Sequence, residues 1–135
     1  MFCAIVTGQR PAHRVLEDDR FLGFLDARPL FAGHVLLVPR AHHETLMDLP
    51  RALVGPLWER AQDLSEAVRV AMGAPGVFNA VNNVVSQSVP HLHVHIVPRR
   101  PKDGLRGFFW PRTRYADETE AAAVAASISA ALPPP

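Results

Sequence analysis

The chain reads as one domain that mixes strands and helices, about five of the former and two main ones of the latter, and three stretches carry that expectation. His91-Leu92-His93-Val94-His95-Ile96-Val97 alternates imidazoles and apolar residues with the period of two that a half-buried strand requires. His34-Val35-Leu36-Leu37-Val38, opened by Gly33 and closed by Pro39, is a short apolar run of the kind found in fully buried strands. Between them Leu57, Ala61, Leu64, Val68 and Ala71 recur at intervals of three or four, which places them on one face of a helix.

In chain order, two apolar stretches around Glu17-Asp18-Asp19-Arg20 predict a hairpin over 15–26. The third strand follows over 34–38, with His34 on the same face as Leu36 and Val38. The main helix is expected over 56–72, stopped by Gly73, and Pro56 is expected to kink any helix that starts earlier, near Asp48 or Pro50. A strand over 77–81, a polar loop over 82–89 and the histidine strand over 91–97, ending before Pro98, come next. Asp117 and Glu120 form a capping pair for an alanine-rich helix over 121–132, ahead of a terminal run of three prolines.

Composition narrows the function. With 135 residues, 48% of them hydrophobic and 20% charged, the chain has the material for one real core. Fourteen basic against thirteen acidic side chains leave a net charge of +1, no general field for nucleic acid or an anionic membrane, so neither is an expected partner. Cys3 is the single cysteine and no leader pattern opens the chain, which suggests a cytoplasmic protein without disulfides. No stretch is apolar for long enough to span a bilayer.

The histidine strand is the chemical signal. Alternation puts His91, His93 and His95 on one face and Leu92, Val94 and Ile96 on the other. At ~3.3 Å per residue neighbouring imidazoles start ~6.6 Å apart, close enough to converge on one phosphate or one metal ion. Spacing does not choose between a metal site and a phosphate site with a histidine nucleophile. The preceding loop, Asn82-Asn83-Val84-Val85-Ser86-Gln87-Ser88, offers amides and hydroxyls but no carboxylate or thiolate, and such donors suit an anion better.

The string Val89-Pro90-His91-Leu92-His93-Val94-His95-Ile96-Val97-Pro98-Arg99 resembles the signature of the histidine triad (HIT) proteins, and the likeness extends through Glu17-Asp18-Asp19, Phe24-Leu25-Asp26, Gly33 to Pro39 and Asn82. The resemblance implies an α+β fold around a five-stranded antiparallel sheet with two main helices. It also implies a homodimer whose sheets join side by side. It assigns residues 1–110 to the HIT domain and 111–135 to a C-terminal extension with a helix and a proline-rich end.

By the same resemblance the protein hydrolyses a purine nucleotide carrying a leaving group on its α-phosphate, as an AMP phosphoramidase or a dinucleoside polyphosphate hydrolase would, through a nucleotidyl-histidine intermediate. His93 is then the nucleophile, the His91 carbonyl fixes its tautomer, and His95 and Gln87 contact phosphoryl oxygens. His34 supports the triad from the neighbouring strand, Ser88 lies near the leaving group, Asn82 lines the phosphate and ribose pocket and Asp26 accepts the ribose hydroxyls. Phe2, Ile5 and Phe24 form the slot for the base. The rival readings are a nucleotide-binding regulatory protein with weak turnover and a metal-dependent hydrolase that uses the triad as ligands.

Three features depart from the family pattern or add to it. Zinc-binding relatives carry Cys-x-x-Cys, of which only Cys3 matches the second cysteine, so no metal or other cofactor is expected, and His42 and His43 are expected as exposed or capping residues. Ser86 stands where relatives carry glycine. The stretch 99–114 gathers Arg99, Arg100, Lys102, Arg106, Arg112 and Arg114 around Phe108, Phe109 and Trp110, either as a solvated arm or as a grip on distal phosphates.

Overall fold

The computed structural model describes residues 1–105 and 112–134. It divides into two units, Met1–Asp103 and Gly104–Pro135. The expected boundary between residues 110 and 111, and the aromatic centre of the basic stretch, lie outside the described residues.

The first unit is a five-stranded sheet in the order β1-β2-β3-β5-β4, antiparallel at every pairing. Its strands are β1 (Arg14–Glu17), β2 (Phe21–Leu25), β3 (Val35–Pro39), β4 (Gly76–Ala80) and β5 (Val94–Arg99). The hairpin expected over 15–26 forms because the Asp18 carboxylate accepts from the N–H groups of Arg20 and Phe21 at 2.8 and 2.7 Å. Its other oxygen accepts from Arg60 Nε at 2.9 Å, which pins the hairpin tip to the long helix.

That helix, α2 (Arg51–Met72), begins five residues before the expected start and runs through Pro56. A proline there removes the hydrogen bond to the carbonyl of Ala52 and crowds it. Ala52 is exposed, so water can serve the freed carbonyl, and Gly55 lacks the Cβ that would clash with the following ring. The helix stops where expected, at Gly73, whose φ of +58° is left-handed. The guanidinium of Arg100 caps the end by donating to the carbonyls of Gly73, at 2.7 Å, and Met72.

β5 also differs from its expectation, starting at Val94 and continuing through Pro98. Ahead of it the N–H of Leu92 donates to the carbonyl of His43 at 2.7 Å and that of His91 to Val89 at 2.8 Å, so these two residues pair outside the ladder. Pro98 is tolerated because β3 pairs with β5 only from Val94 to Ile96, leaving the proline past the end of β3.

The sheet is covered on both faces. One face packs Leu92, Val94 and Ile96 with Phe21, Val35 and Leu37 against Leu57, Ala61, Leu64 and Val68 of α2. The other buries Leu22, Phe24, Leu36 and Val38 under Phe2 and Ile5 of a five-residue helix, α1 (Phe2–Val6), that sequence periodicity missed. Arg14 ties α1 down by donating to the Ile5 carbonyl at 2.9 Å. In the second unit α3 (Glu118–Ala131) is capped by Asp117, which accepts from the Glu120 N–H at 2.8 Å as its sequence pair anticipates.

Gly33 and Gly73 both have positive φ, yet an added Cβ would lie 2.6 Å from Met72 Cγ at Gly33 and meet nothing within 4 Å at Gly73. In urea unfolding, Gly73→Ala is expected to cost about 1 kcal/mol and Gly33→Ala roughly 2 to 3, since only the second adds a clash to the backbone strain.

Candidate active site

The site grows from the segment 91–95, whose imidazole face looks toward α1. His93, 4% exposed, places Nδ1 at 2.7 Å from the carbonyl oxygen of His91. A carbonyl only accepts, so Nδ1 carries the proton and Nε2 keeps its lone pair. His91, 2% exposed, directs Nε2 to the Pro39 carbonyl at 2.9 Å, so its own proton is on Nε2. The ring of Phe2 stands edge-on to both, with centroids 6.0 Å from His91 and 5.0 Å from His93.

His95 faces a different neighbour. Its Nδ1 lies 3.0 Å from Nε2 of His34, and its ring centroid is 4.9 Å from that of His93. His34 comes immediately before β3 and is 3% exposed. Its Nδ1 accepts from the main-chain N–H of Leu30 at 3.1 Å, and Asp26 Oδ2 lies 3.7 Å from its Nε2. Desolvation is the main influence on both rings. It lowers His34 below the usual histidine range against the pull of Asp26, and it lowers His95, with help from His93 and His34, to about 4. Both rings are therefore neutral at pH 7.

The other anticipated residues fall into two groups. Phe2, Ile5 and Phe24 all sit in the second core cluster, with Phe2 and Phe24 in edge contact at 5.5 Å. Asn82 and Ser88 are exposed on the loop before β5. Gln87 on that loop has both ends of its amide engaged: Oε1 accepts from Val84 N–H at 3.0 Å and Nε2 donates to the Glu44 carbonyl at 2.5 Å. It thus braces the loop, leaving one N–H for a ligand. Ser86 has φ +62° and Val84 φ +71°, a left-handed backbone that favours glycine, so the loop is strained here.

A second cluster joins Cys3, His42 and His91. Cys3 Sγ lies 3.4 Å from His42 Nδ1 and 3.5 Å from His91 Nδ1. His42 is exposed as anticipated, but it is also packed edge-on against His91 at 5.1 Å. The Leu92 N–H bond to the His43 carbonyl holds the two segments together beside this cluster. A structural zinc takes four protein ligands in a closed site. Cys3, His42 and His91 supply three, and the Pro39 bond leaves the His91 Nδ1 lone pair turned toward the others, as a metal ligand needs. The arrangement fits a three-donor site that would clamp α1 to the histidine segment.

Among the described residues the other group able to hold a metal is Asp26, His34 and His95. Neither group contains more than one member of the triad. The reading in which His91, His93 and His95 jointly bind a catalytic metal therefore loses its geometric basis. Of the basic stretch, Arg99 is paired with Asp103 at 2.6 Å and Arg100 is the α2 cap, so these two side chains serve the fold.

Comparison with known proteins gives the site a context. Residues 7–102 match the family model described as the HIT domain. The adenylylsulfatase HINT3 of Arabidopsis thaliana is 36% identical over 107 residues, 78% of this chain and 54% of that protein, so the chain spans about half of its length. The adenosine 5'-monophosphoramidase HNT1 of Saccharomyces cerevisiae is 28% identical over 123 residues, 89% of this chain and 72% of that one. A crystal structure of a zinc-bound histidine triad family protein from Mycobacterium smegmatis superimposes with a TM-score of 0.72 at 38% identity, covering 96% and 95% of the two chains.

The depressed His95 sets a pH window for stability. An unfolded chain binds its proton near pH 6.5 and the folded one only near 4, so as pH falls through that interval the unfolded state is favoured. Melting temperature is expected to drop between pH 6.5 and 4, and His95→Asn is expected to flatten the slope in a calorimetric pH series.

Proposed function

Because the chain belongs to the HIT-domain family, we propose that it hydrolyses nucleotides at the α-phosphate, with adenosine-type conjugates or dinucleoside polyphosphates as the substrate class. The observation that carries this reading is the 2.7 Å bond from His93 Nδ1 to the His91 carbonyl, which directs the ring's proton to Nδ1 and leaves Nε2 as the nucleophilic nitrogen. The lone pair of Nε2 attacks the α-phosphorus, a P–N bond forms, and the bond to the leaving group breaks with its electron pair. Water then attacks the same phosphorus, releasing the nucleoside monophosphate and restoring His93. His95 acts as a neutral hydrogen-bond donor to the phosphoryl group, and the Ser88 hydroxyl serves the leaving group. Asp26 takes the ribose hydroxyls, with Asn82 alongside. Phe2, Ile5 and Phe24 back the base, and Gln87 holds the loop.

Any metal at Cys3, His42 and His91 is structural in this reading, stiffening the attachment of α1. The names of the Arabidopsis and yeast relatives, an adenylylsulfatase and an adenosine monophosphoramidase, support an adenylyl group with a variable leaving group. The position of β4 at one edge of the sheet supports the homodimer: a second β4 can pair with it and continue the sheet.

His93→Ala is expected to lower kcat at least ~100-fold while AMP affinity changes little, and rapid quench with radiolabelled nucleotide is expected to trap label on wild-type protein alone. Activity after chelation is expected to be unchanged. Retained turnover in the variant rejects the covalent route, unlabelled wild type that binds AMP favours the regulatory reading, and loss on chelation favours a metalloenzyme. Analytical ultracentrifugation is expected to give twice the 14.8 kDa chain mass, and a monomer at micromolar concentration rejects the paired sheets.

A further inference from the structure

Of the groups that hold His34, one is a main-chain atom, the N–H of Leu30. We propose that the N–H of Leu30 is a positioning group for the reaction: it holds His34 Nδ1 as an acceptor, so that His34 donates from Nε2 to His95 Nδ1 and His95 presents Nε2–H as a donor. The inference rests on the reaction proposed at His93.

Three hydrogen bonds of fixed direction link these groups. An amide N–H can only donate, so the 3.1 Å contact from Leu30 requires an unprotonated Nδ1 on His34. A neutral His34 then has its proton on Nε2. The nearer acceptor for that proton is His95 Nδ1 at 3.0 Å, against 3.7 Å for Asp26 Oδ2. Accepting at Nδ1 leaves a neutral His95 with its proton on Nε2. His93 is fixed in the opposite sense, with its proton on Nδ1 and its lone pair on Nε2. Adjacent rings on one face are thereby set as nucleophile and donor, the complementary pair that attack on a phosphoryl group needs.

The loop that carries Leu30 is built to hold that N–H in place. Asp26 N–H donates to the His34 carbonyl at 2.9 Å, His34 N–H to the Phe31 carbonyl at 3.1 Å, and Arg28 N–H to Asp26 Oδ1 at 2.9 Å. Gly33 closes the loop at φ +93° against Met72. The Leu30 side chain itself is 54% exposed, so the residue's contribution to the site is its amide. Burial of His34 makes an unmatched Nδ1 costly and keeps the arrangement in one state. The groups that face His34 are Asp26, His93 and His95, and none of them supplies a second donor to Nδ1 when neutral in these tautomers.

The test begins with the unaltered protein. Long-range ¹H–¹⁵N correlation spectra at pH 7 are expected to give His34 and His95 as Nε2–H tautomers and His93 as the Nδ1–H tautomer; a proton on His34 Nδ1 overturns the proposal. Leu30→Pro deletes the N–H, and Leu30→Ala keeps it while trimming the same side chain. Relative to Leu30→Ala, Leu30→Pro is expected to lower kcat roughly five- to tenfold, about the worth of one hydrogen bond, with little change in KM and with mixed tautomers at His95. Equal kcat values and an unchanged His95 spectrum overturn it. If Leu30→Pro fails to fold by circular dichroism, His34→Gln and His34→Leu decide. The glutamine amide can donate to His95 without help from Leu30, so it is expected to recover at least tenfold of the activity that leucine loses; equal losses overturn the proposal. Should wild type turn over no nucleotide at all, the reaction assignment fails, whereas the tautomers of the ligand-free protein still judge the hydrogen-bond chain.

Discussion

Burying an imidazole leaves its polar nitrogens in need of partners, and this constraint organises the molecule around residues 91–95. His34, His91 and His93 are almost wholly buried, and main-chain groups meet the demand: the carbonyls of Pro39 and His91 and the N–H of Leu30. Each of these groups has one hydrogen-bonding sense, so each ring is locked in one tautomer. The sheet is the device that brings them there. β3 delivers Pro39 at its end and His34 just before its start, and the pairing of Leu36 with His95 brings the His34 and His95 rings to 5.2 Å between centroids, tilted by 49°. Electrostatics follow from the same burial, which lowers His34 and His95 below the usual histidine range and keeps those two rings neutral at pH 7 beside His93.

Much of the architecture is legible in side-chain periodicity because that is what periodicity records. The alternation in 91–97 correctly separates the α2-facing residues from the histidines, and Leu57, Ala61, Leu64 and Val68 do form the buried face of the helix. The errors have local causes. Pro56 marks a helix start only if the preceding residue has a Cβ and the orphaned carbonyl is buried, and with Gly55 and exposed Ala52 neither holds. α1, at five residues, is too short for a period to register. The start of β5 is displaced because Leu92 pairs with His43, a long-range partner that local sequence does not disclose.

The candidate site divides along the same line. Residue types and their face were readable, and the HIT resemblance assigned them roles. The partners that aim the rings were less so, because most are main-chain atoms and every residue but proline has the same ones. Gln87 illustrates the limit: its amide suits a phosphate by chemistry, yet the loop draws both of its ends into bonds with Val84 and Glu44. His42 illustrates the converse. It is an exposed histidine with no local pattern to recommend it, and it meets Cys3 and His91 only because the chain returns to that point after 48 residues separate it from the triad, a separation of about half the first unit.

The central pairing of β3 with β5 has a consequence for how the protein comes to exist. β1, β2 and β3 follow one another along the chain and can associate through neighbouring segments, whereas His34 and His95 are 61 positions apart and meet only after α2 and β4 have been laid down. Closing so long a loop carries an entropic cost that no earlier contact between these two strands offsets. The hydrogen-bond chain from Leu30 to His95 therefore hangs on a contact of long sequence separation, and no local stretch of the chain can set its tautomers alone. Competence at this site is thus a property of the whole sheet, held by β5 lying between β3 and β4.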